Sequence, residues 1–242
     1  GDPSLLGLRS RMRTLATTLA YPLRANETGR AILTGTLEYS EDENVLARTD
    51  ILDQTTREVS VGYLWLRRQP GRFQASVASR VAYGRTRDRV ADDRFDYLRA
   101  SLDAALTYRV SEAMSGLSTL AVQLSDGTVP SAKRMSIAGP AAVRGYPEGG
   151  GGDAAVILRN EVNWSGALDG DWGRASPYAF FDVGQSYLFE NGGFSDQGYI
   201  ASIGFGLRAV LQTVETSGPV IEFSGQLGYP LHETAALPNA DP

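Results

Sequence analysis

One arginine in a glycine-rich loop is the residue of this chain best placed to form a specific polar interaction. Arg144 lies in Ala138-Gly-Pro-Ala-Ala-Val-Arg-Gly-Tyr-Pro-Glu148, and four glycines at 149–152 follow it. Its planar guanidinium presents donors in a fixed fork that matches a carboxylate. Asp182, in Phe-Phe-Asp-Val-Gly at 180–184, offers such a carboxylate two predicted strands later. The pattern predicts an arginine–carboxylate pair that locks a loop across a cavity.

Other kinds of site have few candidate residues. The 242-residue chain has no cysteine and one histidine, His232, which the sequence pattern puts in a polar C-terminal tail. The carboxylates have no nucleophile beside them, and the glycine run lacks the lysine of a phosphate-binding loop. We therefore expect no enzymatic activity, no cofactor, and no nucleotide or metal site. The net charge of −5 argues against nucleic acid as a partner.

The elements that must position these residues are strands, because apolar and polar residues alternate with period two along most of the chain. The alternation predicts an all-β antiparallel meander of about ten strands, each of roughly 10–14 residues, with no domain boundary. The clearest apolar ladders are Val59, Val61, Tyr63 and Trp65; Leu98, Leu102 and Leu106; Tyr199, Ile203 and Phe205; and Ile221, Phe223 and Leu227.

A soluble β-sandwich also alternates, but three features favour a transmembrane β-barrel. The predicted strands are long, charged residues recur on their polar faces, and aromatic residues lie near strand ends, where an interfacial girdle would form. We expect the apolar ladders to face lipid and the charged ladders to face the lumen. The aromatic residues are Tyr21, Tyr39, Trp65, Tyr83, Tyr108, Trp164 and Tyr229.

Connection lengths predict an orientation. Short connections near 24–29, 67–71 and 109–112 alternate with long ones near 41–56, 84–94, 126–152 and 190–197. The acidic run Glu41-Asp42-Glu43 is interpreted as part of a solvated loop. Outer-membrane barrels have short periplasmic turns and long external loops. The Arg144 loop is therefore predicted to leave the barrel on the external side. The break at 165–175 is long for a periplasmic turn.

A succession of short motifs runs through most of the chain. In order these are Leu19-Ala-Tyr-Pro-Leu-Arg24, the glutamine-containing strand 121–125, the loop 135–148, Gly152-Asp153, the 180–184 motif, Ile203-Gly-Phe-Gly-Leu-Arg208 and Leu227-Gly-Tyr-Pro-Leu231. This succession resembles the two-partner secretion transporters, the hemolysin secretion/activation family of the POTRA–barrel superfamily. The Val-Arg-Gly-Tyr core is shared with barrel-assembly proteins, whereas the Gly-Tyr-Pro-Glu continuation and the Pro-Leu strand ends favour the secretion branch.

The resemblance implies a defined set of site residues. In that family the loop folds back into the lumen of a 16-stranded barrel, and its arginine bonds to the aspartate of the Phe-x-Asp-x-Gly-like strand. Carried over, this implies that Arg144 meets Asp182, with Glu161 as a second acceptor; alternation places both carboxylates on polar faces. The remaining expected site residues are the motif positions Val143, Gly145, Tyr146 and Gly184 and the loop residues Gly139, Gly149, Gly150, Gly151, Gly152 and Asp153.

The resemblance also implies a domain and a function. Residues 1–242 would be a partial C-terminal transmembrane barrel domain, without a POTRA domain and unable to close as the intact barrel does. The implied activity is secretion of a large partner exoprotein (an adhesin, a hemolysin or a contact-dependent toxin) across the outer membrane. Outer-membrane lipid would be the other partner, and the protein would be a monomer. Two alternatives stay open: a barrel-assembly protein that inserts other outer-membrane proteins, and a passive porin-like barrel.

Overall fold

The computed structural model describes residues 8–46, 49–164, 168–170, 173–212 and 220–232. These residues form strands, apart from turns, one connection and a short 3-10 turn at Ser131–Lys133. In chain order the strands are β1 (Leu8–Asn26), β2 (Gly29–Leu46), β3 (Thr49–Gln69), β4 (Phe73–Asp88), β5 (Asp93–Arg109), β6 (Met114–Ser125), β7 (Met135–Ala138), β8 (Gly149–Gly152), β9 (Ala154–Trp164), β10 (Leu168–Gly170), β11 (Gly173–Glu190), β12 (Gly193–Gln212) and β13 (Val220–His232).

Ten long strands make one antiparallel sheet. Their order is β1-β2-β3-β4-β5-β6-β9-β11-β12-β13, so each long strand pairs with the next long strand along the chain, and β10 pairs with the start of β11. β7 and β8 form a separate two-stranded sheet inside the connection between β6 and β9. The predicted meander of about ten strands, six before the Arg144 loop and four after it, is confirmed.

The exposure of the side chains distinguishes a membrane barrel from a sandwich. Apolar residues on the outward face are widely exposed: Leu37 at 64%, Val61 at 56% and Phe205 at 63%. Glu58 and Ser60, next to this apolar row on the opposite face, are buried. A sandwich would bury its apolar face, whereas a barrel in lipid exposes it around its whole circumference. The expected outward direction of the apolar ladders is therefore confirmed. Among the described residues, no helix is long and apolar enough to cross a membrane.

Three of the predicted long connections are wrong, because the strands continue through them. Pairing of β2 with β3 extends to Leu46 and Thr49, and the β4–β5 and β11–β12 hairpins close with turns of only a few residues. The acidic run Glu41-Asp42-Glu43 therefore lies in a strand. A hairpin that projects beyond the hydrocarbon layer is wetted on both faces, so it needs no apolar face and its composition resembles that of a loop. Tyr39 and Tyr83 consequently lie within strands, near the edge of the apolar belt.

The break expected at 165–175 contains strand structure. Leu168–Gly170 pairs with the first residues of β11, and residues 165–167 and 171–172 lie outside the described part of the chain.

His232 is the last residue of β13 rather than part of a tail, so that expectation is wrong as well. Its backbone pairs with Ala201, and its ring stacks on Tyr199 at 4.1 Å between centroids. Pro230 lacks an amide donor and resembles a strand end in the sequence, but an irregularity in the register at Ala201 and Ser202 lets pairing continue past it. Residues 233–242 lie outside the described part.

The outward apolar belt leads to a stability prediction for the full-length protein in phospholipid vesicles. Val61→Arg puts a charge in the middle of the belt, and we expect the free energy of unfolding to fall by about 2–4 kcal/mol. Ile51→Arg, on the outward face of the projecting part of β3, should cost only about 0–1 kcal/mol. Guanidinium titration followed by tryptophan fluorescence measures both. Equal losses for the two variants would contradict a lipid-facing belt.

Candidate functional site

The connection between β6 and β9 lies against the inward face of the sheet. β7 and β8 form its stem, with Met135 opposite Gly152 and Ala138 opposite Gly149, and residues 139–148 form its tip. An apolar seam joins this loop to the barrel wall. Its buried members are Ile137, Ala138, Ala142, Val143 and Tyr146 from the loop, Ala155 and Ile157 from β9, and Ile200 from β12.

Arg144, at the tip, is almost fully buried, and its guanidinium is held by two carboxylates. Nε and Nη2 donate to Oδ2 and Oδ1 of Asp182 at 2.7 and 2.9 Å, and Nη1 donates to Oε2 of Glu161 at 2.9 Å. The backbone amide of Arg144 donates to Oδ2 of Asp182 at 3.2 Å. Side-chain exposure is 3% for Arg144, 0% for Asp182 and 4% for Glu161. The structure thus brings together the three charged residues that the sequence singled out.

The charge on Arg144 is secured by these bonds. Burial alone would lower the pKa of the Arg144 guanidinium, but the hydrogen bonds that it donates to Asp182 and Glu161 outweigh burial, and the pKa is raised. A second arginine completes the group, because Arg208 on β12 donates to Oε1 of Glu161 at 2.6 Å and to Oε2 at 3.1 Å. Two arginines therefore bind two carboxylates in this group.

Aromatic rings support both arginines. The guanidinium carbon of Arg144 lies 3.7 Å from the ring centroid of Phe180, and that of Arg208 lies 4.1 Å from the ring centroid of Tyr178. Such contacts stabilise a cation over the face of a ring. Glycines on β12 make room for the rings: a Cβ at Gly204 would lie 2.3 Å from Cζ of Phe180.

Close packing at the tip explains why the motif contains glycine and tyrosine. Gly145 adopts φ +89, and a Cβ on it would lie 3.0 Å from the backbone of Gly228 on β13. The Tyr146 hydroxyl donates to the carbonyl oxygen of Ala201 at 2.8 Å and also contacts the carbonyl oxygen of His232. The tip therefore reaches the last two described strands of the sheet.

Gly184 provides the space for Val143. A Cβ at Gly184 would lie 2.9 Å from Cγ2 of Val143 and 3.3 Å from Cβ of Ile137. Both apolar side chains are buried, so any larger residue at position 184 would push against the loop.

The glycine run is a strand rather than a flexible turn, since Gly149–Gly152 form β8. Positive φ angles at Gly139 (+120) and Gly150 (+64) suit glycine, and a Cβ at Gly152 would lie 2.8 Å from the carbonyl oxygen of Tyr187. Gly151 pairs with Ser136 on β7. The predicted loop glycines therefore shape the stem and its contact with the wall.

Asp153 fixes the base of the stem. Its buried carboxylate accepts hydrogen bonds from the amides of Val129 and Phe189 at 3.0 and 2.8 Å and from Nε of Arg134 at 3.2 Å. One side chain thus joins the start of the connection, its stem and β11.

Sequence reasoning missed a second ion pair. The ammonium of Lys133, in the same connection, pairs with Glu38 on β2, and both side chains are largely buried. The backbone carbonyl of Lys133 also accepts a hydrogen bond from the side-chain amide nitrogen of Gln123. The amide oxygen of Gln123 in turn accepts a hydrogen bond from Arg99. In the sequence Lys133 resembles a solvated loop lysine, so nothing marks it as a contact residue.

A weak signal did exist for the apolar seam. Ile157 and Ile200 are apolar residues on the polar faces of β9 and β12, where they interrupt the alternation. An apolar residue on the lumen-facing side of a strand indicates that another segment of the protein packs over it and shields it from water. Among the residues that the structure describes, no three His, Asp or Glu side chains lie close enough together to hold a metal ion.

The sequence model of the haemolysin secretion/activation proteins ShlB/FhaC/HecB matches residues 6–209. The chain belongs to this family. As a haemolysin secretion/activation protein it is a β-barrel protein of the bacterial outer membrane, from a family of secretion transporters and not of enzymes. The family is the one that the motif succession resembles, and it differs from both the barrel-assembly and the porin alternatives.

Solved structures share the fold of this family member. CdiB from Escherichia coli superposes with a TM-score of 0.75 at 20% sequence identity, over 93% of this chain and 42% of that chain. CdiB from Acinetobacter baumannii gives 0.63 at 16% identity, over 92% of this chain and 43% of that chain. The chain therefore spans less than half the length of these structures. No curated protein matches it by sequence.

The fit between Gly184 and the loop leads to a prediction about loop docking. Gly184→Ala should destabilise the docked loop by about 1–3 kcal/mol, because its new methyl group meets Val143. Trypsin cleavage after Arg144 should accelerate by roughly tenfold, since the bond is accessible only in the released loop. Mass spectrometry of timed digests of the folded, full-length protein measures this. Gly35→Ala, where a Cβ meets nothing within 4 Å, is the matched control. Equal cleavage in both variants would contradict the packing.

The buried ion group leads to a second prediction. Arg144→Ala should lower the free energy of unfolding by about 3–5 kcal/mol, because it leaves the buried carboxylate of Asp182 without its ion-pair partner and removes one of the two arginines that bind Glu161. Adding Asp182→Ala to Arg144→Ala should cost less than the sum of the two single losses, since one stranded charge is then removed. Denaturant titration of the two single variants and the double variant in vesicles measures the coupling. Additive losses would show that the two side chains do not interact.

Proposed function

We propose that this chain forms part of an outer-membrane transporter that secretes a large partner exoprotein, and that the Arg144 loop closes its pore. The closing element is the connection between β6 and β9. Its release would open a path along the polar inward face of the sheet. The proposal covers the residues Val143, Arg144, Gly145, Tyr146, Glu161, Asp182 and Gly184, with the stem glycines and Asp153 as the support of the loop.

One observation carries the proposal: a single loop contacts inward faces near both ends of the sheet. Lys133 pairs with Glu38 on β2, while Gly145 packs against Gly228 on β13. Seven strands separate β2 from β13 in the sheet order, which is β3, β4, β5, β6, β9, β11 and β12. A segment that makes both contacts has to cross the space enclosed by the curved sheet, which is the position of a plug.

The charged group at Arg144 suits a reversible closure. A buried arginine between two carboxylates is costly to leave half paired, so the docked loop has one well-defined position. The same groups are fully satisfied by water once the lumen is wet, so release does not require a covalent change. Work for transport would come from folding of the client outside the cell or from another passive bias, and no nucleotide, metal or other cofactor would be needed.

Several finer points belong to the same proposal. The client would be an adhesin, a hemolysin or a contact-dependent toxin, and the domain would act as a monomer surrounded by outer-membrane lipid, without enzymatic activity and without nucleic acid. Residues 1–242 would be the partial C-terminal barrel domain of the protein. A passive porin is disfavoured because its constriction should leave an open channel, whereas ion pairs hold this loop to the wall at two separate residues, Lys133 and Arg144.

Conductance of the full-length protein in planar bilayers tests the proposal. Ala138 and Gly149 pair directly, so residues 139–148 can be replaced by Asn-Gly, which closes a two-residue hairpin and leaves the stem and Asp153 intact. We expect single-channel conductance to rise severalfold. Replacing turn 89–92 of the β4–β5 hairpin by Asn-Gly is the matched control, and conductance should stay at the wild-type value.

Secretion of the client exoprotein is measured for the same variants. Loss of the closing loop should reduce export by roughly tenfold, while the control variant exports normally. Unchanged conductance after removal of residues 139–148 would show that the loop is no plug. Raised conductance with unchanged export would show that the barrel is a channel in which the loop plays no part in secretion.

A further inference from the structure

Two rows of outward-facing residues on β2–β5 contain an excess of arginine. Register places Tyr39, Arg57, Arg85 and Asp96 side by side in one row, and Glu41, Thr55, Arg87 and Arg94 side by side in the next. All four arginines are exposed.

Like charges lie directly opposite each other in both rows. Arg57 is the cross-strand partner of Arg85, and Arg87 is the cross-strand partner of Arg94. Direct like-charge pairs destabilise a sheet. Two such pairs on adjacent rows of one face therefore favour the binding of an additional anion.

The neighbouring carboxylates are already engaged. Asp96 accepts bonds from Nε and Nη2 of Arg85 at 2.7 and 2.8 Å and from the Tyr83 hydroxyl at 2.7 Å. Glu41 accepts the Tyr39 hydroxyl at 2.7 Å. Within the described ranges, Arg57, Arg87 and Arg94 make no ion pair. Three guanidinium groups are thus free to bind a ligand.

The rows lie at the rim of the apolar belt. Below Arg57 on the outward face of β3 follow Val59, Val61, Tyr63 and Trp65. The segment from Arg57 to Trp65 is nine residues long, about 26 Å along the strand, which is close to the roughly 9–11 residues that a tilted strand needs to cross the hydrocarbon layer. The arginines are therefore at the level of lipid headgroups, on the side where the Arg144 loop leaves the barrel.

An apolar groove leads from the belt to these arginines. It has a volume of about 560 Å³ and is lined on the outward face by Leu15, Leu37, Val59 and Tyr83, with Arg57 and Arg85 at its polar end. A groove with an apolar floor and a cationic end matches a molecule with a hydrocarbon chain and an anionic head.

We propose that this surface binds a phosphate-bearing lipid of the external leaflet, with its phosphate on Arg57, Arg87 and Arg94 and one acyl chain in the groove. Arginine suits phosphate because its fork donates two parallel hydrogen bonds. The bound phosphate relieves the repulsion between the opposed arginines. A lipid is the occupant because the groove opens into the membrane, where acyl chains are the available apolar ligand.

Native mass spectrometry of the full-length protein in detergent tests the site, with diphosphorylated lipid A as the probe. Wild-type protein should retain the probe at least tenfold more than a dephosphorylated lipid A of the same acylation. The double variant Arg57→Gln/Arg87→Gln should lose this preference. Arg80→Gln, on the same β4 strand but on its inward face, should keep it. The double variant Arg57→Lys/Arg87→Lys keeps the charge but loses the paired hydrogen bonds of the guanidinium, so its preference should fall between those of wild type and the glutamine variant.

Two results of these retention measurements would overturn the proposal. One is equal retention of the phosphorylated and dephosphorylated lipids by wild-type protein; the other is an unchanged preference in the Arg57→Gln/Arg87→Gln variant. A third arm adds inorganic phosphate at millimolar concentration. The lipid should remain bound, and displacement by free phosphate would show an anion site with no role for the acyl groove. Heat-modifiable migration on gels, compared for all variants, establishes that each one is folded.

Discussion

The need to satisfy one buried arginine organises the inward face of this barrel. Arg144 can lie at 3% exposure only because Asp182 and Glu161 accept its donors, and Glu161 in turn requires Arg208. Each member is costly to bury alone and acceptable in the group. The group fixes where β9, β11 and β12 must present their polar residues, and it determines where the loop must end.

Small residues make this arrangement physically possible. Gly184 admits Val143, Gly204 admits the ring of Phe180, and Gly228 admits the backbone at Gly145. The inward wall is thus complementary in shape to the loop. Aromatic rings lie over glycines, and the apolar seam lies beside the charged group. Two kinds of contact therefore hold the loop. The apolar seam binds it through close packing, and the charged group fixes its position along the wall. A lumen lined only with charges would provide attraction but no single position.

How much could be foreseen depends on the range of the interaction. Alternation along a strand is local. The sequence alone therefore predicted the number of long strands, the outward direction of the Val61 side chain and the inward direction of the Glu58 side chain. Hairpin lengths did not follow from the sequence, because the residues around Glu41 are polar on both faces whether they form a strand or a loop. The contact between Arg144 and Asp182 was predicted from motif resemblance and from alternation together, since both residues lie on polar faces. Lys133 and Glu38 could not be paired in advance, because neither residue belongs to a motif.

By itself, the sequence determined the class of the fold, the face of each strand that meets lipid, and the three charged residues at the centre of the site. Period-two patterning and residue chemistry suffice for these properties because each is decided within one strand or one motif. Only the tertiary structure decided that the loop reaches both β2 and β13 and that Ile157 and Ile200 pack against it in the apolar seam. The same holds for the arginines of β3, β4 and β5, which lie side by side on the outer surface. Those contacts depend on the summed register of many strand pairs, and a shift of one residue in any pair would separate them.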